Sequence, residues 1–95
     1  MQKTYRSREG FIRRNIADCE VIIPIGGNVA DFNGFIELNS SAAFIWDKLT
    51  DGISKEELLK EMCEFFEEIG KEEAEADINE FFEILIENKM IEEVK

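Results

Sequence analysis

The side chains that most often carry out catalysis are scarce in this sequence. It contains no histidine, which removes the commonest general base and every nucleophile that depends on an adjacent imidazole. Its two cysteines, Cys19 and Cys63, stand alone, whereas zinc and iron–sulfur sites need clustered thiolates. From these residues we expect no catalytic centre, no metal site and no cofactor.

Acidic residues are the abundant candidates for chemistry, and several occur in adjacent pairs. Two carboxylates work as general acid and base only where their neighbours set the two pKa values apart. These pairs fall at predicted helix ends and on exposed helix faces, with no identifiable neighbour of that kind. We interpret them as solvated surface, so the sequence indicates a binding module rather than an enzyme. The pairs are Glu56-Glu57, Glu67-Glu68, Glu72-Glu73 and Glu92-Glu93.

Charge is distributed unevenly along the chain, whose net charge is −11. Residues 1 to 14 hold five basic residues and one acid, a net charge of +4, so residues 15 to 95 carry −15. An acidic body repels phosphate backbones, which argues against nucleic acid as a partner. A basic partner, or none, suits it better.

The sequence also carries signals about its surroundings. No stretch approaches the roughly 20 apolar residues needed to span a bilayer, and we expect no membrane association. The N-terminal segment lacks the apolar core of a secretory signal. Two isolated cysteines are typical of reduced thiols rather than of a disulfide framework. Together these features predict a cytoplasmic protein, and its 95 residues suffice for one domain with its own core.

The hydrophobic period changes within the segment that runs from Phe35 to Trp46, and this change organises the rest of the prediction. Phe35, Ile36 and Leu38 fall in a short β-like run. Asn39 follows as a candidate helix N-cap, and after it the apolar residues take up helical spacing. The sequence therefore predicts a strand that leads directly into a helix.

Strands are predicted before this junction and helices after it, which gives an α+β domain. Residues 1 to 10 are interpreted as a flexible basic segment, and residues 11 to 95 as the folded domain. The predicted strands cover residues 11–17, 19–25 and 35–38, with turns at Ala17-Asp18, Gly26-Gly27 and Asn33-Gly34. The predicted helices cover residues 40–50, then a segment from the Ser54 capping box to about Ile69 with Gly70 as its stop, then residues 72–88, followed by an extended tail over 90–94.

The third predicted helix carries more apolar surface than one packing interface requires. Its apolar residues span an arc of about 200°, whereas a stripe of about 100° is enough to face a single core. Either this helix is central and packs on two sides, or one flank lines a groove for a partner. A short third strand with an unpaired edge would add a template for a peptide strand. The residues of the arc are Ile78, Phe81, Phe82, Ile84, Leu85 and Ile86.

Several of these segments together resemble the PqqD-like family. Members of this family, often called RiPP recognition elements, are small peptide-recognition domains of ribosomal peptide modification pathways. The resemblance extends over about residues 11 to 94 and implies three antiparallel strands followed by three helices, a winged helix-turn-helix-like fold. The segments that carry it are Leu38-Asn-Ser-Ser-Ala-Ala-Phe-Ile-Trp46, Asp51-Gly52, Ser54-Lys-Glu-Glu-Leu58, Ala74-Glu-Ala-Asp-Ile78 and Phe81-Phe82.

The resemblance also implies a function. Such domains are not enzymes: they bind the leader part of a precursor peptide as an added strand, beside the third strand and against the third helix. They present this peptide to a modifying enzyme, often a radical S-adenosylmethionine enzyme. Carried over onto this sequence, the peptide-binding residues are Gly34, Phe35, Ile36, Glu37, Leu38, Ile78, Phe81, Phe82 and Leu85.

Two other functions are compatible with the same order of elements. A winged-helix transcription factor would insert the third helix into a DNA major groove. That helix, however, carries seven acidic residues between Lys71 and Lys89, and such a surface opposes the phosphate contacts that dominate DNA affinity. A generic protein-interaction domain, such as a dimer formed through the exposed strand edge, is the remaining alternative.

Overall fold

A computed structural model of the chain describes residues 3–25 and 35–94, which form two small antiparallel sheets and three helices. The predicted three-stranded sheet followed by three helices is confirmed, and its strand order is β2-β3-β4. The strands are β1 (Thr4–Ser7), β2 (Phe11–Ile16), β3 (Cys19–Pro24), β4 (Ile36–Leu38), β5 (Ile53–Ser54) and β6 (Ile91–Val94). The helices are α1 (Ser40–Asp51), α2 (Lys55–Phe65) and α3 (Lys71–Glu87).

A two-residue turn joins β2 to β3, as the sequence predicts. Ala17 and Asp18 adopt φ angles of 50° and 67°, the left-handed conformation that matches the twist of a tight hairpin. Ile16 pairs with Cys19 at the end of the ladder. The predicted turns at Gly26-Gly27 and Asn33-Gly34 lie outside the described residues.

The junction between β4 and α1 also forms as predicted. The side-chain oxygen of Asn39 accepts a hydrogen bond from the Ala42 backbone N–H at 2.9 Å, which satisfies one of the free donors of the first helical turn. At the other end, Gly52 has a φ of 90° and its N–H donates to the Leu49 carbonyl at 3.1 Å. Only Asn39 separates the end of β4 at Leu38 from the start of α1 at Ser40, so no loop lies between them.

The second sheet was not predicted from the sequence. Strand β1 lies in its centre, between β5 and β6, so the segment expected to be flexible contains a paired strand over Thr4–Ser7. Its basic side chains meet the acidic C-terminal strand, since Arg6 pairs with Glu92 at 3.2 Å. The Tyr5 ring packs edge-on against the Phe82 ring of α3 with centroids 5.2 Å apart. Short strands paired across the whole length of the chain leave little local signal in a sequence.

Helix α2 is shorter than its apolar pattern predicts. It ends at Phe65 rather than near Ile69, and Gly70 is the N-cap residue of α3. The Phe65 side chain is 66% exposed instead of facing the core. Its ring packs against those of Phe44 and Phe66, at centroid distances of 4.8 Å and 4.9 Å.

The core lies among the three helices and receives side chains from both sheets, Ile22 and Leu38 from the first and Ile53 and Ile91 from the second. Trp46 of α1 is 4% exposed, which confirms the prediction that it is a core residue. The largest fully buried side chains among the described residues are Ile22, Ile45, Leu49, Leu58, Met62, Ile78, Phe82, Leu85 and Met90.

Arg13 connects the sheet to α1. Its guanidinium donates to the Glu20 carboxylate at 3.0 Å and also to the Asp47 carboxylate. The hydrogen bond from Arg13, helped by one from Asn15, lowers the pKa of Glu20 below its ordinary value of 4.5. A carboxylate with a lowered folded-state pKa stabilises the fold above its unfolded-state pKa, and this contribution is lost as the pH falls through the folded-state value.

Replacing Arg13 with glutamine should therefore raise the pKa of Glu20 back towards its ordinary value. The measurement is a carbon-detected NMR titration of the Glu20 carboxyl group in both proteins between pH 2 and pH 7. Lys60→Gln removes one positive charge from an exposed position of α2 and serves as the control. An identical Glu20 titration in wild type and Arg13→Gln would show that the pair does not form in solution.

Candidate functional site

Strand β4 has an edge that no described strand covers. Among the described residues it pairs only with β3, through the register that sets Ile22 opposite Ile36 and Glu20 opposite Leu38. In an antiparallel ladder, successive residues direct their backbone N–H and C=O groups to alternate sides of the strand. The register of the hairpin therefore determines which β4 residue points outwards.

The hairpin fixes the direction of the β3 backbone groups. The two-residue turn makes Ile16 and Cys19 a hydrogen-bonded pair. Hydrogen-bonded pairs then recur at every second residue along the two strands. Past the end of the strand, the Ile25 N–H donates to the Gly10 carbonyl at 2.8 Å, which agrees with this pattern. Odd-numbered β3 residues thus bond β2, and Glu20 and Ile22 bond β4.

Glu37 is consequently the β4 residue whose backbone faces away from the sheet. Ile36 and Leu38 are paired with Ile22 and Glu20, so their N–H and C=O groups point inwards. The N–H and C=O of Glu37 point outwards and are available to another strand. Side chains alternate in the other sense: those of Ile36 and Leu38 face the core side of the sheet, and that of Glu37 faces the opposite side.

A groove of about 190 Å³ lies between this edge and α3. Its apolar lining comes from β4, α1 and α3, and the rest of its described lining is polar or acidic. No lysine or arginine is among the described residues that line it. They are Ile36, Glu37, Asn39, Ser41, Ala42, Ile45, Asp77, Glu80, Phe81 and Ile84.

Helix α3 uses the centre of its wide apolar arc for the core and one flank for the groove. Ile84, 42% exposed, lies on the groove flank with Phe81. Ile86, 52% exposed, lies on the other flank. The helix is therefore central, as the first account of the wide arc expects, and it leaves both flanks partly uncovered. That one flank receives a partner stays a prediction.

The predicted peptide-binding residues of α3 differ in how deeply they are buried. Ile78, Phe82 and Leu85 are at most 1% exposed, so they support the groove from within the core and are not accessible to a ligand. Phe81 is 7% exposed and lines the groove. The groove flank repeats at positions 77, 80, 81 and 84, which is the spacing of a helix face.

The predicted strand residues lie at or beside the edge. Ile36 is partly buried and lines the groove, Glu37 is exposed, and Leu38 is buried in the core. Phe35, 61% exposed, immediately precedes β4. Gly34 lies outside the described residues.

Sequence reasoning missed the part that α1 plays in the groove. Partly buried Ala42, from the first turn of α1, contributes to its apolar lining, and fully buried Ile45 supports it from within the core. Their helical spacing was apparent, but it fits the core equally well. The turn from strand to helix at Asn39 brings them beside Ile36, and only the three-dimensional path of the chain shows that.

Three carboxylates belong to the described lining of the groove. Among the described residues, Glu37, Asp77 and Glu80 form no ion pair. The same part of the chain contains no group of three or more His, Cys, Asp or Glu side chains that could hold a metal ion. None of its helices combines the length and apolar character needed to cross a membrane. The groove is thus an apolar cleft with an acidic rim.

The fold is shared with a solved structure described as TbiB1 in complex with the TbiA(beta) leader peptide. The two chains superpose with a TM-score of 0.69, over 92% of this chain and 94% of that chain. Their sequence identity is 18%, so the similarity establishes the fold. It supports the predicted winged helix-turn-helix-like α+β class.

The sequence itself identifies the family. The family model for Coenzyme PQQ synthesis protein D (PqqD) matches residues 20–91, which is most of the chain. The chain belongs to the PqqD family, in agreement with the resemblance seen in its motifs. A comparison with curated proteins gives no match.

Proposed function

We propose that this chain is a non-catalytic domain that binds the leader of a ribosomally made precursor peptide and presents it to a modifying enzyme. The leader adds as a strand to the open edge of β4 and places side chains in the groove beside α3. The observation that carries the proposal is the outward-facing backbone of Glu37 next to that groove. Membership of the PqqD family and the leader peptide bound to the related TbiB1 support it.

In this proposal the free energy of leader binding has two sources, backbone hydrogen bonds at the strand edge and apolar contacts in the groove. A peptide residue opposite Glu37 can exchange two backbone hydrogen bonds with it, a net gain of about 1–3 kcal/mol. Micromolar affinity needs about 8 kcal/mol, so these hydrogen bonds fix the register but do not account for tight binding. The larger part has to come from apolar side chains that cover Ile84, Phe81 and Ile36 in the groove.

Replacing Ile84 with alanine should weaken leader binding by about 1–3 kcal/mol, because the side chain forms the exposed apolar wall of the groove. Ile86→Ala is the matched control, since Ile86 is equally large and similarly exposed but lies on the other flank of α3. Isothermal titration calorimetry measures both affinities. Equal losses for the two variants, or no loss for either, would contradict the groove as the binding site.

Candidate ligands can be taken from the genome. Synthetic peptides covering the N-terminal half of each short open reading frame beside this gene are titrated into the protein, and one is expected to bind with 1:1 stoichiometry. We propose a radical S-adenosylmethionine enzyme as the recipient, so a neighbouring enzyme of that class should modify the full precursor faster when this chain is present. Modification at the same rate without the chain would contradict the presenting role.

The alternatives predict other results. DNA binding would require α3 to approach phosphates, but the exposed residues of that helix include six glutamates, which oppose the contact. An assembly domain that pairs through its strand edge would sediment as a dimer in the absence of peptide. Such a dimer, lost on replacing Glu37 with proline, would favour assembly over peptide recognition. The six glutamates are Glu72, Glu73, Glu75, Glu80, Glu83 and Glu87.

A further inference from the structure

The geometry of the β4 edge limits which peptide sequences can bind, provided that the proposed strand addition is correct. In an antiparallel arrangement the peptide residue opposite Glu37 shares a hydrogen-bonded pair with it, and in a parallel arrangement the two neighbours of that residue take the hydrogen bonds of Glu37. In both arrangements cross-strand partners place their side chains on the same face of a sheet. That residue therefore lies beside the Glu37 side chain, on the face turned away from the core. We call it the central residue.

The two neighbours of the central residue point the other way. They lie opposite Ile36 and Leu38, whose side chains face the core side of the sheet. On that side they meet the groove, whose apolar lining includes Ile36, Phe81 and Ile84. Apolar side chains suit both positions, and they are separated by one residue because strand side chains alternate.

The charge around the edge selects the central residue. Glu37 is exposed and forms no ion pair with any described residue. Asp77 and Glu80 lie across the groove on α3, on the other side of the sheet from the Glu37 side chain, and no lysine or arginine is among the described residues that line the groove. The selection therefore rests on Glu37. A lysine or arginine opposite Glu37 forms a cross-strand ion pair, whereas an acidic residue there meets a like charge.

We propose that the chain recognises a three-residue unit in its leader, an apolar residue, a lysine or arginine, and a second apolar residue, with the basic side chain set against Glu37. The pattern reads the same in both directions, so it holds whether the leader runs parallel or antiparallel to β4. This unit is a specificity element within the proposed function. The backbone of Glu37 supplies the register and its carboxylate selects the charge.

The probe is a library of random nine-residue peptides displayed as messenger RNA fusions and selected on the immobilised full chain. Wild type is expected to enrich peptides with two apolar residues that flank a lysine or arginine. Glu37→Lys is expected to keep the two apolar positions and to change the central preference to aspartate or glutamate. Peptides selected on wild type should bind this variant roughly three- to tenfold more weakly, since an attraction is replaced by a repulsion.

Glu83→Lys makes the same change of charge on the exposed surface of α3, away from the groove lining. It should enrich the wild-type pattern, which separates a local effect at Glu37 from the effect of net charge. Each selected peptide is also tested on Glu37→Pro, which removes the outward-facing N–H.

The outcomes separate the two levels of the proposal. Peptides that lose binding to Glu37→Pro but show no basic central residue, or the same central residue on Glu37→Lys, would overturn the specificity element and leave strand addition standing. Peptides that bind Glu37→Pro as well as wild type would overturn both. A library that yields no enriched peptide would also overturn both.

Discussion

Replacing Glu37 with proline is expected to abolish leader binding while the protein stays folded. The hairpin register turns the Glu37 N–H and C=O towards the open edge of β4, and proline has no N–H to donate. Proline is tolerated on edge strands at positions whose N–H faces outwards, so the sheet itself keeps its ladder. Titration calorimetry with the leader peptide measures the binding, and circular dichroism measures the fold.

The opposite edge of the same sheet offers the matched control. Asn15 in β2 is exposed and lies opposite Glu20, at a position whose N–H also points away from β3. Asn15→Pro should leave leader binding unchanged, because no groove residue lies there. Full binding by Glu37→Pro, or equal losses in the two variants, would contradict strand addition at β4. Ile36, the residue in the middle of the predicted strand, is unsuitable for this test because its N–H points towards β3.

Replacing Trp46 with alanine is expected to lower the free energy of unfolding by about 3–5 kcal/mol. The side chain is 4% exposed and belongs to the cluster that joins α1 to both sheets and to the other two helices. Its truncation leaves a large cavity that close-packed neighbours fill only in part. Urea unfolding followed by circular dichroism measures the change.

Phe65→Ala provides the comparison, because it also removes a large aromatic side chain, but one that is 66% exposed. We expect it to cost about 1 kcal/mol or less. A cost below about 1 kcal/mol for Trp46→Ala would mean that this side chain is not part of the core, and the packing described for α1 would then be wrong.

The local signals in the sequence were sufficient for the first sheet and the helix starts. The Asn39 and Ser54 caps both form, as their side-chain oxygens accept from Ala42 and Glu57. Such features depend on neighbours within four residues, and the identity of the residue alone decides them. The β-branched run of β3 and the turn at Ala17-Asp18 are local in the same way.

Non-local pairing was beyond the reach of the same reasoning. Strand β1 pairs with residues near positions 54 and 94, and its sequence is polar enough to be read as an irregular segment. The end of α2 was also misplaced, because Phe66 and Ile69 continue the apolar pattern after the helix has stopped and pack against the core from irregular backbone.

The candidate site was predictable in outline and not in detail. The strand and helix that border the groove follow from the pattern and the family resemblance. The rotation of α3 against the core decides which of its apolar residues are exposed at the groove. It buries Ile78, Phe82 and Leu85 and leaves Ile84 exposed. A helical wheel shows the width of the apolar arc, but tertiary packing decides which part of it is covered.

The most direct test of the account is an NMR titration of isotope-labelled protein with the leader peptide that binds. We expect the largest amide shifts at Glu37 and along the Ile84 flank of α3, with new protection of the Glu37 amide against hydrogen exchange and cross-strand contacts from its backbone to the peptide. Shifts confined to α1 and α2, with β4 and α3 unchanged, would contradict the account even if the binding were tight.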